Sequence, residues 1–212
     1  MFCAPVLRSV GGVTKERLKS PRARLFVALD LPEELRDGLV AWGERELRDP
    51  ALRAVRPESL HVTLAFLGYR PEKEIERLGE VVGRLRSPAP TIELGDPVAK
   101  PSPGRARLFA LPANSPGAVA LQAELETELV AACLYKPEKR PFWPHVTLAR
   151  VKPAERGSKR PMGVERPPGS LPKGLLGRVD CVRVTLYRSE LNPMGARYTP
   201  LARVELSRGG RQ

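Results

Sequence analysis

The 212-residue sequence has no apolar run long enough to span a bilayer, which takes about 20 residues. Its start, Met1 to Val10, has a short apolar stretch but neither a signal-type hydrophobic region nor a small-residue cleavage site. The expectation is a cytoplasmic protein with no membrane partner. Cysteine is scarce. Cys3, Cys133 and Cys181 are odd in number, and their spacings fit neither a disulfide framework nor a Cys-x-x-Cys metal site. Cys133 closes a helical pattern and Cys181 sits in an apolar run, so both are expected as small core residues in a reducing compartment. There is no Gly-x-Ser-x-Gly elbow for a hydrolase triad and no Gly-rich phosphate loop. Histidine is scarcer still, with only His61 and His145. Two are too few for a zinc site, which takes three or four ligands. No neighbouring acid or cysteine spacing supplies the rest, so neither a metal nor another cofactor is expected.

What the chain does carry is positive charge, net +12 with a pI of about 10.2. Phosphates attract such a balance over long range. Arg8, Lys15, Arg17, Lys19, Arg22 and Arg24 face one acid in residues 1–24, and seven Lys/Arg face two acids in residues 152–178. These two Pro/Gly-containing segments read either as a solubilising tail and loop or as a flexible collar that gathers RNA. The expected organisation is a basic, poorly ordered extension over 1–22, one domain over 23–206 with a long basic loop at 152–178, and a tail over 207–212. Nothing in the sequence demands more than a monomer.

An internal repeat organises the domain. Arg24-Leu25-Phe26 recurs as Arg107-Leu108-Phe109. The ten residues Arg56 to Ala65 recur as Arg140 to Ala149 with seven identities, including His-Val-Thr-Leu-Ala in both. Each unit reads as an apolar strand (Leu25 to Leu29; Leu108 to Leu111), a Pro-containing break, an amphipathic helix and the His-Val-Thr-Leu strand, that is β-α-β. Leu35, Leu39, Trp42 and Leu47 mark one helix, with Asp30 as a candidate cap upstream. Val119, Leu121, Leu125, Leu129 and Ala132 mark the other. Pro71 to Leu85 predicts a further helix. Thr91 to Leu94, Val179 to Tyr187 and Tyr198 to Leu206 predict strands, the last two joined by a turn region over Arg188 to Arg197.

Strand alternation sends His61 and Thr63 to one side and Val62 and Leu64 to the other, and likewise His145 and Thr147 against Val146 and Leu148. If the two units pack as pseudo-symmetric lobes, both His/Thr pairs face one cleft. Two imidazoles with ordinary pKa near 6.5 suit paired proton donation and acceptance. The threonine hydroxyls can hydrogen-bond phosphoryl oxygens. Alternation puts Arg150, five residues past His145, on the opposite face, where it would reach phosphate only through a bulge or the strand's end. Trp143 and Phe142 could stack on a base, with packing at the lobe edge the stronger expectation. Tyr198 faces either the cleft or the core.

The two His-Val-Thr-Leu segments resemble the paired His-x-Thr-x motifs of the 2H phosphoesterase superfamily. Arg24 to Pro32, Leu60 to Gly68, Pro144 to Arg150, and Leu186 to Leu191 with Gly195 and Tyr198 resemble its RNA 2′,3′-cyclic phosphodiesterase (2′-5′ RNA ligase-like) branch. The resemblance covers about residues 23–206. It implies an α+β fold of two similar lobes whose antiparallel sheets flank a V-shaped cleft. It also implies metal-independent hydrolysis of a 2′,3′-cyclic phosphate on an RNA end or a cyclic nucleotide to the 2′-phosphomonoester. In that reading His61 is the proton donor to the departing 3′ oxygen and His145 the acceptor that activates water. Two alternatives stand beside it: 2′-5′ joining of RNA ends as the physiological reaction, and a non-catalytic nucleotide- or RNA-binding module.

Overall fold

The computed structural model describes residues 21–192 and 195–208, so most of the expected N-terminal extension and of the C-terminal tail lies outside the described residues. In chain order the elements are β1 (Arg22–Asp30), α1 (Glu33–Glu46), β2 (Leu52–Ala54), β3 (His61–Pro71), α2 (Ile75–Gly83), β4 (Thr91–Leu94), β5 (Val98–Lys100), β6 (Leu108–Asn114), α3 (Pro116–Ala131), β7 (His145–Val151), β8 (Arg178–Asp180), β9 (Arg183–Asn192) and β10 (Gly195–Glu205). The strands form one sheet in the order β10-β9-β1-β3-β7-β6-β4-β8, with β2 added beside β7 and β5 beside β6. Every pairing is antiparallel. The architecture is α+β, a large antiparallel sheet with α1, α2 and α3 packed against it.

The duplicated units are β1-α1-β3 and β6-α3-β7. The histidine strands of the two units meet at a single register pair, Val62 on β3 opposite Val146 on β7. These are the residues directly after the two histidines, so the seam of the sheet brings the two motifs side by side. The main apolar cluster runs through both halves and includes Val62 and Val146, both fully buried. Strand β1 lies between β9 and β3. It is covered on both faces, which is why Leu25 to Leu29 is continuously apolar instead of alternating.

Helix α3 begins at Ser115, whose Oγ accepts a hydrogen bond from Ala118 N, with Pro116 in the first turn. Its other end corrects the expectation for Cys133. The Leu134 N–H returns to Leu129 O and the Cys133 N–H to Val130 O, a Schellman arrangement that puts Cys133 in the left-handed region (φ 58°) and turns it outward. Cys133 is exposed, and Leu134 takes the core position. Cys181 is buried as expected. Asp30 does not cap α1. It is the last residue of β1, opposite Arg183 and His61, and its carboxylate accepts hydrogen bonds from the hydroxyls of Thr185 (2.7 Å) and Tyr187 (2.9 Å).

Two element boundaries also differ. The expected strand from Val179 to Tyr187 is divided at Cys181-Val182 between β8 and β9, which sit on opposite halves of the sheet. The expected turn over Arg188 to Arg197 is mostly strand, because β9 and β10 pair with each other out to Asn192 and Gly195. Helix α2 starts later than expected, since Pro71 ends β3 and Glu72–Glu74 form a single 3₁₀ turn.

The basic segment 152–178 is pinned to the body of the protein. Asp49 Oδ2 accepts the backbone N–H groups of Glu165 (2.9 Å) and Arg166 (2.8 Å), and Glu46 accepts that of Gly169. Asp96 accepts from Leu171 N, and the Trp42 indole donates to Ser170 O. With Leu171 itself buried, this segment is not a free collar.

Candidate active site

On one face of the sheet, across the β3/β7 seam, lies a cavity of about 680 Å³. His61, Thr63, His145 and Thr147 all line it. Alternation along β3 and β7 produces this, because Val62, Leu64, Val146 and Leu148 turn into the core behind them.

Each imidazole rests on an aromatic ring. Phe26 stacks on His61 at 5.1 Å between centroids, and Tyr198 meets His61 edge-on at 5.6 Å. Trp143 stacks on His145 at 4.3 Å, and the Lys100 ammonium lies 4.3 Å over the same indole. Trp143 does not line the cavity; it supports His145 from outside. Phe142 packs partly buried against the main core. Tyr198 does line the cavity.

The two histidines differ electrostatically. His145 is half-buried, and its Nδ1–H donates to the Trp143 carbonyl at 2.7 Å, which leaves Nε2 with a free lone pair. Burial lowers its pKa, the Trp143 hydrogen bond opposes this, and Lys100 adds to the lowering. His61 is more deeply buried, at 9% exposure. Burial brings its pKa down to about 4, against a raising influence of the Glu58 backbone and with His145 adding to the lowering. Its buried Nδ1 has no partner in hydrogen-bond geometry. In the free protein both rings are therefore neutral near pH 7.

Arg150 is where alternation misleads. Ala110 on β6 faces Thr147, yet the next residue, Phe109, faces Ala149, so β7 carries one extra residue in between. This β-bulge reverses the alternation and turns Arg150 into the cavity. The same irregularity occurs in the other unit, where Ala28 faces Thr63 and Val27 faces Ala65. There it brings Phe66, also five residues past its histidine, into the cavity. A further shift follows at Leu25/Phe26, after which Gly68 adopts φ 68°, a conformation glycine takes without strain. The signal was present in the sequence, since Leu64-Ala65 and Leu148-Ala149 are consecutive apolar pairs that break a period of two.

The repeat is also shifted by one at its first landmark. Judged by their partners, Phe26 (opposite Phe66) corresponds to Leu108 (opposite Arg150), not to Phe109. A one-residue slip changes the face. Phe26 consequently stacks on His61, while Phe109 is buried with Leu52, Ala106 and Ala149 in a separate small cluster. Sequence reasoning did not place Phe26, Phe66, Arg24, Arg53 or Arg56 at the site, yet all of them line the cavity. No residue of the basic segment 152–178 is among the residues lining it.

Comparison with known proteins bears on the same region. The sequence profile of the 2′-5′ RNA ligase superfamily matches residues 29–164. The chain is 32% identical to an RNA 2′,3′-cyclic phosphodiesterase of Escherichia coli, over 87% of this chain and 97% of that protein. It is 35% identical to one of Thermus thermophilus, over 86% of this chain and 90% of that protein. The fold superposes on E. coli LigT complexed with 3′-AMP with a TM-score of 0.70 at 29% identity, covering 89% of this chain and all of that one. Both histidine strands lie inside the matched residues, and the chain belongs to the 2′-5′ RNA ligase superfamily, a group of 2H phosphoesterases.

Proposed function

We propose that this protein hydrolyses the 2′,3′-cyclic phosphate of an RNA end to a 2′-phosphomonoester, with His61 as proton donor and His145 as proton acceptor. The reading is carried by the two His-x-Thr strands that face one arginine-lined cavity. Relatives named RNA 2′,3′-cyclic phosphodiesterase support it.

In this reaction a water oxygen attacks phosphorus while His145 Nε2 takes the water's proton. The P–O3′ bond breaks, His61 gives a proton to the departing 3′ oxygen, and the 2′ ester bond is kept. The Nδ1–H bond of His145 to the Trp143 carbonyl supports the acceptor role, because it points the basic nitrogen elsewhere than the backbone. His61 must be charged to act as an acid, and burial opposes this in the free protein. A bound phosphate anion favours the imidazolium, so the substrate itself helps to arm the acid. Thr63, Thr147 and Arg150 stabilise negative charge on the phosphoryl oxygens. Phe66 and Tyr198, on the opposite side of the cavity, suit a nucleobase.

The test is product analysis on an oligonucleotide ending in a 2′,3′-cyclic phosphate, in the presence of EDTA. The expected product has a 2′-phosphate and a free 3′-hydroxyl. His61→Ala and His145→Ala should each lower kcat by about 10²–10⁴-fold with an unchanged circular-dichroism spectrum. Full activity in either variant refutes the reading. Adding an RNA with a free 5′-hydroxyl to the same reaction measures 2′-5′ joining against hydrolysis.

A further inference from the structure

The cavity is not symmetric. At the two bulge positions the repeat places an aromatic ring, Phe66, on one side and a guanidinium, Arg150, on the other. The asymmetry is extended by neighbours. Phe66 is 54% exposed and Leu191 67% exposed, and both line the cavity. On the other side β2 supplies Arg53 directly opposite Arg150, and Arg56 follows just past β2.

The Arg53/Arg150 pair calls for an explanation. Two like charges directly opposite each other on adjacent strands destabilise the pairing. An acid between them would remove the conflict, but among the described residues neither arginine forms an ion pair with an acidic side chain. Both are exposed. Arg56 reaches Glu58 only at 3.8 Å. The wall therefore presents at least two uncompensated guanidinium groups, while the proposed chemistry at the cyclic phosphate uses one of them, Arg150.

We propose that Arg53, assisted by Arg56, forms a second phosphate subsite that binds the phosphate on the 5′ oxygen of the terminal nucleotide. This rests on the functional reading above. A 2′,3′-cyclic phosphate closes the 3′ end of an RNA, so the next phosphate along the chain is necessarily the one on the 5′ side. A guanidinium next to Arg150 is placed to receive it, and the bound anion relieves the cross-strand repulsion. The protein then recognises an RNA end by two consecutive phosphates, and a lone cyclic nucleoside phosphate fills only part of the site. The same subsite chemistry accepts either an internucleotide phosphodiester or a terminal 5′-phosphate.

Three probes separate these cases: adenosine 2′,3′-cyclic phosphate, the same compound with a 5′-phosphate, and a dinucleotide ending in it. Wild-type kcat/KM should be about tenfold higher for the second or third probe than for the first, as for one exposed charge-assisted contact. The larger of the two gains identifies the natural source of the phosphate. The gain should lie mainly in KM. Arg53→Gln should abolish it, Arg53→Lys should keep part of it, and Arg84→Gln, which removes the same charge outside the cavity, should keep all of it. The gain should also make log kcat/KM steeper against log salt by about 0.7 per added phosphate contact, and Arg53→Gln should remove that extra slope. Equal kcat/KM for all three probes, or a gain that survives Arg53→Gln, overturns the subsite and leaves the cyclic phosphodiesterase reading standing. Calorimetry with adenosine 2′-phosphate and adenosine 2′,5′-bisphosphate tests it without turnover. Tighter binding of the bisphosphate that is lost in Arg53→Gln upholds the subsite even in a protein that hydrolyses nothing. Equal affinities overturn it.

Discussion

His61 makes the stability of this protein depend on pH in a way that can be calculated. In the folded chain its pKa is about 4, because burial disfavours the charged ring. In the unfolded chain it returns to about 6.5. Between these values the unfolded state binds more protons, so stability rises with pH across that window. The contribution is fully present above pH 6.5 and is lost as pH falls toward 4. At 1.36 kcal/mol per pKa unit, the loss between pH 7 and pH 4 is about 3 kcal/mol. The burial of His145 acts in the same direction, so it must be held constant. Urea unfolding of wild type and His61→Asn at half-unit steps from pH 7 to pH 4 isolates the effect. The variant should be less sensitive to acid, and the two stability curves should converge by about 3 kcal/mol at the acid end. Parallel curves would refute the assignment of a depressed pKa to His61. The link to function can be read in the same samples. Nuclear magnetic resonance titration of the His61 ring should show its midpoint move upward when a nucleoside 2′-phosphate is bound, because the phosphate favours the imidazolium.

Thr63→Val and Thr147→Val should each lower kcat by about 10²-fold with little change in KM, if the hydroxyls act on charge that develops in the transition state; steady-state kinetics on a cyclic nucleotide would show it. Phe66→Ala should raise KM roughly 5- to 100-fold for loss of one base-stacking platform. An unchanged KM would place the base elsewhere. Cys133→Gly should stabilise the fold by about 1 kcal/mol, because glycine adopts the left-handed position at the end of α3 without the Cβ clash. Calorimetry should then show a Tm higher by about 2–4 °C.

Much of this arrangement could be read directly from the residues. Two histidines, each followed by Val-Thr-Leu-Ala at the end of a repeated β-α-β unit, were enough to suggest paired proton transfer and to put both His/Thr pairs on one face. Local alternation and side-chain type determine that much, and neither needs the partner strand. The remainder depended on pairing between distant segments. Arg150 and Phe66 enter the cavity because β6 and β1 each pair around one extra residue, and a bulge is a property of two strands together. Phe26 rather than Phe109 supports a histidine because of a one-residue difference in register that the matching Arg-Leu-Phe triplets conceal. Arg53 stands beside Arg150 only because β2, from the first unit, adds to β7 of the second. The difference between the two imidazoles, one tied to a carbonyl and the other buried deeper, arises from packing at the seam. The sequence by itself thus picked out the candidates for proton chemistry, through residue type and period. Only the tertiary structure decided which cations and rings surround them, because register and burial come into being when the two units meet.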